Sequence, residues 1–204
     1  MISILRFLSQ HLLLMLAFVF SVSSKIDIQS QVESYLKGVK FISATFEQVM
    51  SSGNIYSGKF WLNKQEKTKV KIEYKKGINQ DILILDNVIT VLDKDTSKKY
   101  VNSISQTPIY SILTGSLNLS REKFEIVENS NDWLRLNIKK SSAFGGMSVM
   151  LVFSKYPNGN LKNLEAWIID DGKTETLFSF DPKTLSINDQ KKVPDFIFSL
   201  PKNK

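Results

Sequence analysis

The chain has 204 residues with no cysteine, a single histidine and a formal net charge of +7 at pH 7. Because that histidine, His11, lies in a segment that we expect to be removed, the mature chain has neither residue. This excludes thiol nucleophiles, Ser-His-Asp triads, disulfides and zinc sites built on Cys or His. Hydrophobic residues at 42% and charged residues at 23% are typical of one folded soluble domain.

Residues 1–24 have the pattern of a cleaved secretory signal peptide. Arg6 supplies the positive start, Leu12–Phe20 is an apolar run of nine residues, and Ser21–Ser24 offers small residues for cleavage. The run is shorter than the about 20 residues that span a bilayer core, so a membrane anchor is the lesser alternative. We expect a periplasmic chain with a single domain over residues 25–204 and, without Arg6, a net charge of +6.

An amphipathic helix is predicted at the start of this domain. Apolar residues recur at helical spacing over residues 28–39, among them Ile28, Val32 and Leu36, and Gly38 lies near the end.

Beyond this helix the apolar period changes to two, which predicts antiparallel strands. Residues 59–63, 69–75 and 133–139 alternate in this way, and turn signals such as Asn158-Gly159 separate the runs. Roughly ten strands exceed what a small flat sheet carries, so the sequence predicts a mainly β fold with a strongly curved sheet or partial barrel. Strand parity gives this sheet one apolar face and one wet face, with Asn63 on the wet one.

One segment in mid-chain breaks the strand pattern. Thr107 is a suitable N-cap, Pro108 suits the first helical position, and Gly115 is a terminator. The short helix between them is apolar around most of its circumference and must be covered on more than one side. From this segment alone a helix that simply plugs the core is the favoured interpretation.

No catalytic constellation stands out. Asp170 and Asp171 are adjacent beside a glycine, as in a hairpin turn, and the Ser-x-x-Lys spacings at Ser34 and Ser120 lack their companion motifs. We therefore expect no enzyme activity, no cofactor and no metal, and a hydrolase using carboxylates or a Ser-Lys pair is a minor alternative.

Six lysines are clustered between Lys64 and Lys76. They are compatible with a patch for an anionic surface or partner, but the solvated face of an amphipathic strand is the favoured interpretation. Export to the periplasm argues against nucleic acid as a partner.

Several short motifs, in their order along the chain, resemble the LolA family of periplasmic lipoprotein carriers. They are Phe46-Glu47-Gln48, Gly58-Lys59-Phe60-Trp61-Leu62, Lys71-Ile72-Glu73-Tyr74, Thr107-Pro108, Asn158-Gly159-Asn160-Leu161, and Phe196 and Phe198 with Pro201. The resemblance spans nearly the whole chain after the signal peptide. It implies a half-open antiparallel barrel whose apolar concave face is covered by a helical lid.

The resemblance also implies a function and partners. Such a carrier binds the acyl chains of lipoproteins, takes them from an inner-membrane ABC-type releasing complex and passes them to the outer membrane, in some cases to an acceptor lipoprotein. We expect it to act as a monomer. The alternative is a periplasmic domain of similar shape that senses lipid or lipoprotein.

Specific residues follow from the resemblance together with strand parity, which places Phe60, Leu62, Val70, Ile72 and Tyr74 toward the cavity. The predicted cavity residues are Phe46, Phe60, Leu62, Val70, Ile72 and Tyr74, and the predicted lid residues are Pro108, Ile109, Tyr110, Ile112 and Leu113. A family arginine that bonds the lid aligns best with Lys64, and Lys71 is a second candidate for this latch. Lysine lacks the rigid fork of arginine, so we expect the lid to be held less firmly or by other groups.

Overall fold

A computed structural model describes residues 27–104, 108–139 and 146–200. The predicted signal peptide, Thr107 and Pro201 lie outside the described residues. Helix α1 covers residues 27–38, where the sequence predicts it, and helix α2 is Pro108–Thr114. The strands are β1 Phe41–Met50, β2 Ile55–Asn63, β3 Lys69–Lys76, β4 Gln80–Leu85, β5 Val88–Asp93, β6 Lys98–Ser103, β7 Phe124–Asn129, β8 Trp133–Ile138, β9 Ser148–Lys155, β10 Leu161–Asp170, β11 Glu175–Phe180 and β12 Ser186–Ile187.

All of these strands belong to one antiparallel sheet with the order β6-β5-β4-β3-β2-β1-β11-β10-β9-β8-β7. The two-residue β12 pairs with the beginning of β1. Strands β1 to β6 and strands β7 to β11 each run as a meander, and the pairing of β1 with β11 joins the two halves. The sheet is not closed, because β6 and β7 lie at its two ends. This confirms the predicted curved, half-open antiparallel sheet.

Helix α1 packs its apolar side on the concave face of this sheet. Val32 and Leu36 are almost fully buried in the main core. The ring of Tyr35 meets Phe153 edge to face at 5.3 Å, and its hydroxyl oxygen accepts a hydrogen bond of 2.8 Å from the backbone N–H of Leu164. Burial raises the pKa of Tyr35 above its ordinary value.

Strand parity predicts that the opposite face of the sheet is exposed to solvent throughout. The structure differs from this prediction at two positions. Lys71 and Asn63 do point away from the main core, but only 6% of each is exposed. The segment after β12 lies across them: Asp195 Oδ1 is 2.9 Å from Lys69 Nζ and 3.4 Å from Asn63 Nδ2, and Lys71 Nζ donates to the Ser199 carbonyl. The wet-face prediction is therefore wrong at these two positions, because a distant segment covers them.

Candidate functional site

An apolar cavity of about 170 Å³ lies between α2 and the concave face of the sheet. Most of its wall is aliphatic or aromatic, and the polar side-chain groups of the lining residues are one amide, two hydroxyls and the indole N–H of Trp167. Its lining residues are Gln48, Phe60, Ile72, Tyr74, Ile82, Ile84, Ile89, Ile104, Ile109, Leu113, Trp167, Ile169, Thr176 and Phe178. The cavity is smaller than the about 300–1,000 Å³ that ligand pockets usually measure.

Three of the six predicted cavity residues, Phe60, Ile72 and Tyr74, line this wall. The other three are Phe46, Leu62 and Val70, which are buried in the surrounding core and do not line it. Phe46 stacks on Phe178 with ring centroids 4.5 Å apart and meets Tyr74 edge to face at 5.3 Å. It therefore supports the wall from behind, by contacts that aromatic pairs favour.

An aromatic cluster from β10 and β11 completes the wall, and sequence reasoning missed it. Trp167 and Phe178 stack at 4.6 Å, and Phe60 meets them at 6.3 and 5.9 Å. The register of β10 shifts between Leu164 and Ala166, which places Trp167 rather than Ala166 on the concave side. Simple alternation does not reveal this side because the bulge breaks the period of two. The aromatic content of β11 is the signal that was available for Phe178.

Helix α2 covers the cavity. Ile109 and Leu113 line it, and only 3% of Ile112 and 4% of Leu113 are exposed. Ile109 and Tyr110 are half-buried against the core. Pro108 begins the helix, and its side chain lies outside the described residues. Two of the five predicted lid residues, Ile109 and Leu113, therefore line the cavity, and their action as a lid is part of the proposal below.

A glycine ends α2 as the sequence predicts. Gly115 has φ +72° and its N–H donates to the Ile112 carbonyl at 3.1 Å, while Ser116 N–H donates to the Ser111 carbonyl at 3.0 Å. This is the left-handed helix end that glycine favours. A Cβ at Gly115 would lie 2.7 Å from the Leu36 carbonyl oxygen, so the end of α2 lies directly against the end of α1.

Lys64 reaches the same point from the end of β2. Its Nζ donates a hydrogen bond of 2.6 Å to the Leu36 carbonyl. Burial, together with the positive charge of Lys40, lowers the pKa of Lys64 to about 8. Lys64 therefore binds α1 directly, and the contact between Leu36 and Gly115 connects it to α2.

Lys71, the second latch candidate, lies on the opposite face of the sheet. Its Nζ is 3.4 Å from Asp81 Oδ2 and donates to the Ser199 carbonyl at 3.0 Å. Asp81 is also 3.0 Å from Lys94, so one buried carboxylate serves two ammonium groups. These contacts fix the segment after β12 rather than α2.

Most of the lysine cluster is paired. Ion pairs join Lys67 to Asp86, Lys69 to Asp195, Lys71 to Asp81 and Lys75 to Glu73. Because carboxylates neutralise these four, the structure favours an ordinary charged surface over a patch for an anionic partner.

Two properties of the described ranges bear on the class of protein. No helix within residues 27–104, 108–139 and 146–200 has the length and apolar character to span a membrane. In the same ranges no group of three or more His, Asp or Glu side chains is arranged to hold a metal ion.

The open sheet, the covering helix and the apolar cavity define a protein of the half-barrel class. A family model described as outer membrane lipoprotein carrier protein LolA matches residues 37–200. The chain belongs to the LolA family. This confirms the resemblance that the short motifs indicate. A comparison with curated proteins finds no match.

Solved structures are similar to this chain at low sequence identity. A DUF1329 family protein from Desulfovibrio piger is 8% identical, with a TM-score of 0.51 over 84% of this chain and 95% of its own. A Vibrio parahaemolyticus domain named provisionally for outer membrane lipoprotein sorting is 12% identical, with a TM-score of 0.50 over 83% and 94%. A LolA superfamily protein from Nitrosomonas europaea is 14% identical, with a TM-score of 0.44 over 85% and 96%.

Proposed function

We propose that this chain is a periplasmic carrier that binds the acyl chains of lipoproteins and transfers them from the inner to the outer membrane. The observation that carries the proposal is the apolar cavity between the concave sheet and α2. Membership of the LolA family supports the same function. The carrier is not an enzyme, and its partners are the lipoproteins, an inner-membrane ABC-type releasing complex and, where one exists, an outer-membrane acceptor.

The cavity suits acyl chains for an energetic reason. Each methylene removed from water gains about 0.8 kcal/mol, so a long acyl chain left in water costs on the order of 10 kcal/mol. A carrier that crosses an aqueous space must cover such chains. The wall of isoleucines and aromatic rings provides the cover.

Loading requires α2 to move. The closed cavity of about 170 Å³ is below the usual range for ligand pockets, and the isoleucine and leucine of α2 form one of its sides. Displacing α2 enlarges the space without disturbing the sheet. A ligand shifts the equilibrium between the closed and open cavity only by its preference for the open state. A cavity whose covering helix is held by few contacts therefore loads and unloads more readily than one whose helix is tightly fixed.

In this proposal Lys64 is the latch. Its hydrogen bond to the Leu36 carbonyl fixes the end of α1 on which Gly115 rests, and this holds α2 indirectly. A lysine with a single such bond and a lowered pKa is a weaker latch than an arginine with its fork of donors.

Release from spheroplasts tests the proposal. Purified residues 25–204 are incubated with spheroplasts that hold a labelled outer-membrane lipoprotein, with and without vanadate to stop an ABC-type complex. We expect the lipoprotein in the supernatant with the carrier and not with vanadate. The variant Ile109→Asp, which places a charge in the cavity, should release at least tenfold less, while Val101→Asp, at a position 63% exposed on β6, should release as the wild type does.

No release by the folded wild-type chain would contradict the carrier function. Binding of an acylated peptide without any release would instead support the sensing alternative.

A further inference from the structure

One corner of the cavity is polar. Gln48 on β1, Tyr74 on β3 and Thr176 on β11 all line it. The Tyr74 hydroxyl donates to Gln48 Oε1 at 2.6 Å. Burial of the Tyr74 side chain raises its pKa to about 12, so the hydroxyl keeps the proton that it donates. Gln48 therefore has its carbonyl oxygen occupied and its amide N–H groups turned elsewhere.

Those amide donors have a poor partner. Gln48 Nε2 lies 3.3 Å from the sulfur of Met50, and Thr176 Oγ1 lies 3.5 Å from the same sulfur. A thioether is only a weak acceptor, and an amide nitrogen has two N–H donors. Among the described residues neither donor has an oxygen acceptor, and a polar donor in an apolar wall costs free energy unless it finds an acceptor.

The position of this corner gives the cavity a direction. Gln48 and Thr176 are half-buried, whereas Phe60 is fully buried and only 3% of Trp167 is exposed. A chain that enters with its apolar end first would reach Phe60 and Trp167 with its tip. Its polar end would then stay beside Gln48 and Thr176.

We propose that Gln48 and Thr176 form a subsite for the carbonyl oxygen of an ester or amide that links an acyl chain to its headgroup. The inference rests on the proposed function and adds the orientation of the ligand. Gln48 Nε2 and Thr176 Oγ1 donate to the carbonyl oxygen, while Tyr74 fixes the amide of Gln48 in the donating orientation. The site thereby distinguishes an acyl chain from a plain alkyl chain of the same length.

Two matched lipids test this subsite. 1-Monolauroylglycerol and 1-O-dodecylglycerol have the same glycerol and a twelve-carbon chain, but only the first has a carbonyl. Their affinities are measured by titration calorimetry below the critical micelle concentration. We expect the wild-type chain to bind the ester about fivefold more tightly, the value of one net hydrogen bond.

Variants locate the effect. Gln48→Met removes the donors at similar volume, and Gln48→Glu keeps an acceptor for Tyr74 but removes the amide N–H groups. Both should lose most of the preference for the ester, because only the Thr176 hydroxyl remains as a donor. Gln80→Met makes the same change at the start of β4, outside the cavity lining, and should keep the preference for the ester.

The outcomes separate the two proposals. Equal binding of ester and ether by the wild type, or an unchanged preference in the Gln48 variants, would overturn the carbonyl subsite and leave acyl-chain binding intact. Binding of neither lipid would count against the cavity as a lipid site. If Gln48→Met does not fold, the wild-type comparison and Gln48→Glu still decide the question.

Discussion

Lys64 lies where three chain segments meet, namely the end of β2, the end of α1 and the start of the segment after α2. Its ammonium group makes a hydrogen bond to the Leu36 carbonyl, and a Cβ at Gly115 would touch the same oxygen. The charged form of this lysine is penalised by burial, which explains its pKa of about 8. Lys64 thus joins the ends of α1 and α2, but burial of its charge costs free energy. We therefore expect it to hold α2 over the cavity only weakly.

This burial predicts a pH dependence of stability. The folded pKa of Lys64 is below that of the unfolded chain, 10.5, so between about pH 8 and pH 10.5 the unfolded state binds more protons. The contribution of Lys64 to the free energy of unfolding should therefore rise with pH across this window and be lost as pH falls through 8. Denaturant unfolding of the wild type and Lys64→Met at pH 7.5, 9 and 10 measures it as a difference.

Lys59→Met is the control for this experiment, because Lys59 is exposed on the strand that Lys64 follows. It should leave the slope of stability against pH unchanged. An equal slope in the wild type and Lys64→Met would show that the amine is not buried as described.

Gly58 is a position where the backbone itself requires glycine. A Cβ there would lie 2.0 Å from the Glu73 carbonyl oxygen on the neighbouring strand. Gly58→Ala must therefore move β2 away from β3, and we expect a loss of about 1–3 kcal/mol in the free energy of unfolding. Chemical denaturation measures this loss.

Gly38→Ala is the matched control for that change. A Cβ at Gly38 meets nothing within 4 Å, and this glycine lies at the end of α1. The substitution should be neutral or stabilise the chain by up to about 1 kcal/mol. Similar losses for both alanine variants would contradict the close contact at Gly58.

At the scale of single residues, sequence reasoning found which side of a strand faces the core but not what covers the other side. Alternation predicted Phe60, Ile72 and Tyr74 on one face, and the structure places all three in the cavity wall. It also placed Lys71 on the opposite face, but the cover provided by Ser199 comes from more than a hundred residues away. No local pattern encodes such a contact.

Helix α2 is the element on which loading depends. It has seven residues, fewer than the about 12–15 that an isolated helix needs to be even marginally stable in water. Its stability must come from packing of its apolar side chains against the cavity and core. The sequence predicts both ends of the helix, because proline and glycine mark them locally, whereas its place over the cavity depends on the whole sheet.

Hydrogen exchange should show the weak hold on α2. We expect its amides to exchange at least tenfold faster than those of β8 and β9, whose inward residues are fully buried. Adding an acylated lipopeptide should slow exchange in β1 and β3, which line the cavity. Exchange from α2 as slow as from β8 would contradict its role as a movable lid.

The segment after β12 is a second covering element, on the outer face. It covers Lys71, whose counter-ion is the buried carboxylate of Asp81, so the loss of Asp81 leaves Lys71 without a counter-ion in a poorly hydrated site. Asp81→Ala should reduce the free energy of unfolding by about 3–5 kcal/mol. The double variant Asp81→Leu with Lys71→Met removes both charges and should lose less than the single variant. A greater loss in the double variant would contradict a buried pair.

At the scale of the whole molecule, the topology creates the site. Two meanders meet at β1 and β11, so residues distant in sequence, such as Phe60 and Trp167, face each other at 6.3 Å. The number and alternation of strands predict the curved sheet, because period two and turn residues are local signals. The composition of the cavity wall is not predicted in full, because the bulge in β10 and the pairing across the sheet decide which rings meet.

Quenching of Trp167 by a brominated acyl chain tests the central claim most directly. Trp167 is in the cavity wall, whereas 39% of Trp133 is exposed and Trp61 lies on the outer face. In the double variant Trp61→Phe with Trp133→Phe, Trp167 is the one tryptophan left among the described residues. A lipopeptide with dibrominated acyl chains should quench its fluorescence saturably at one ligand per chain, and the same lipopeptide without bromine should not. Binding of the brominated lipopeptide without quenching of Trp167 would place the acyl chains outside this cavity and contradict the account.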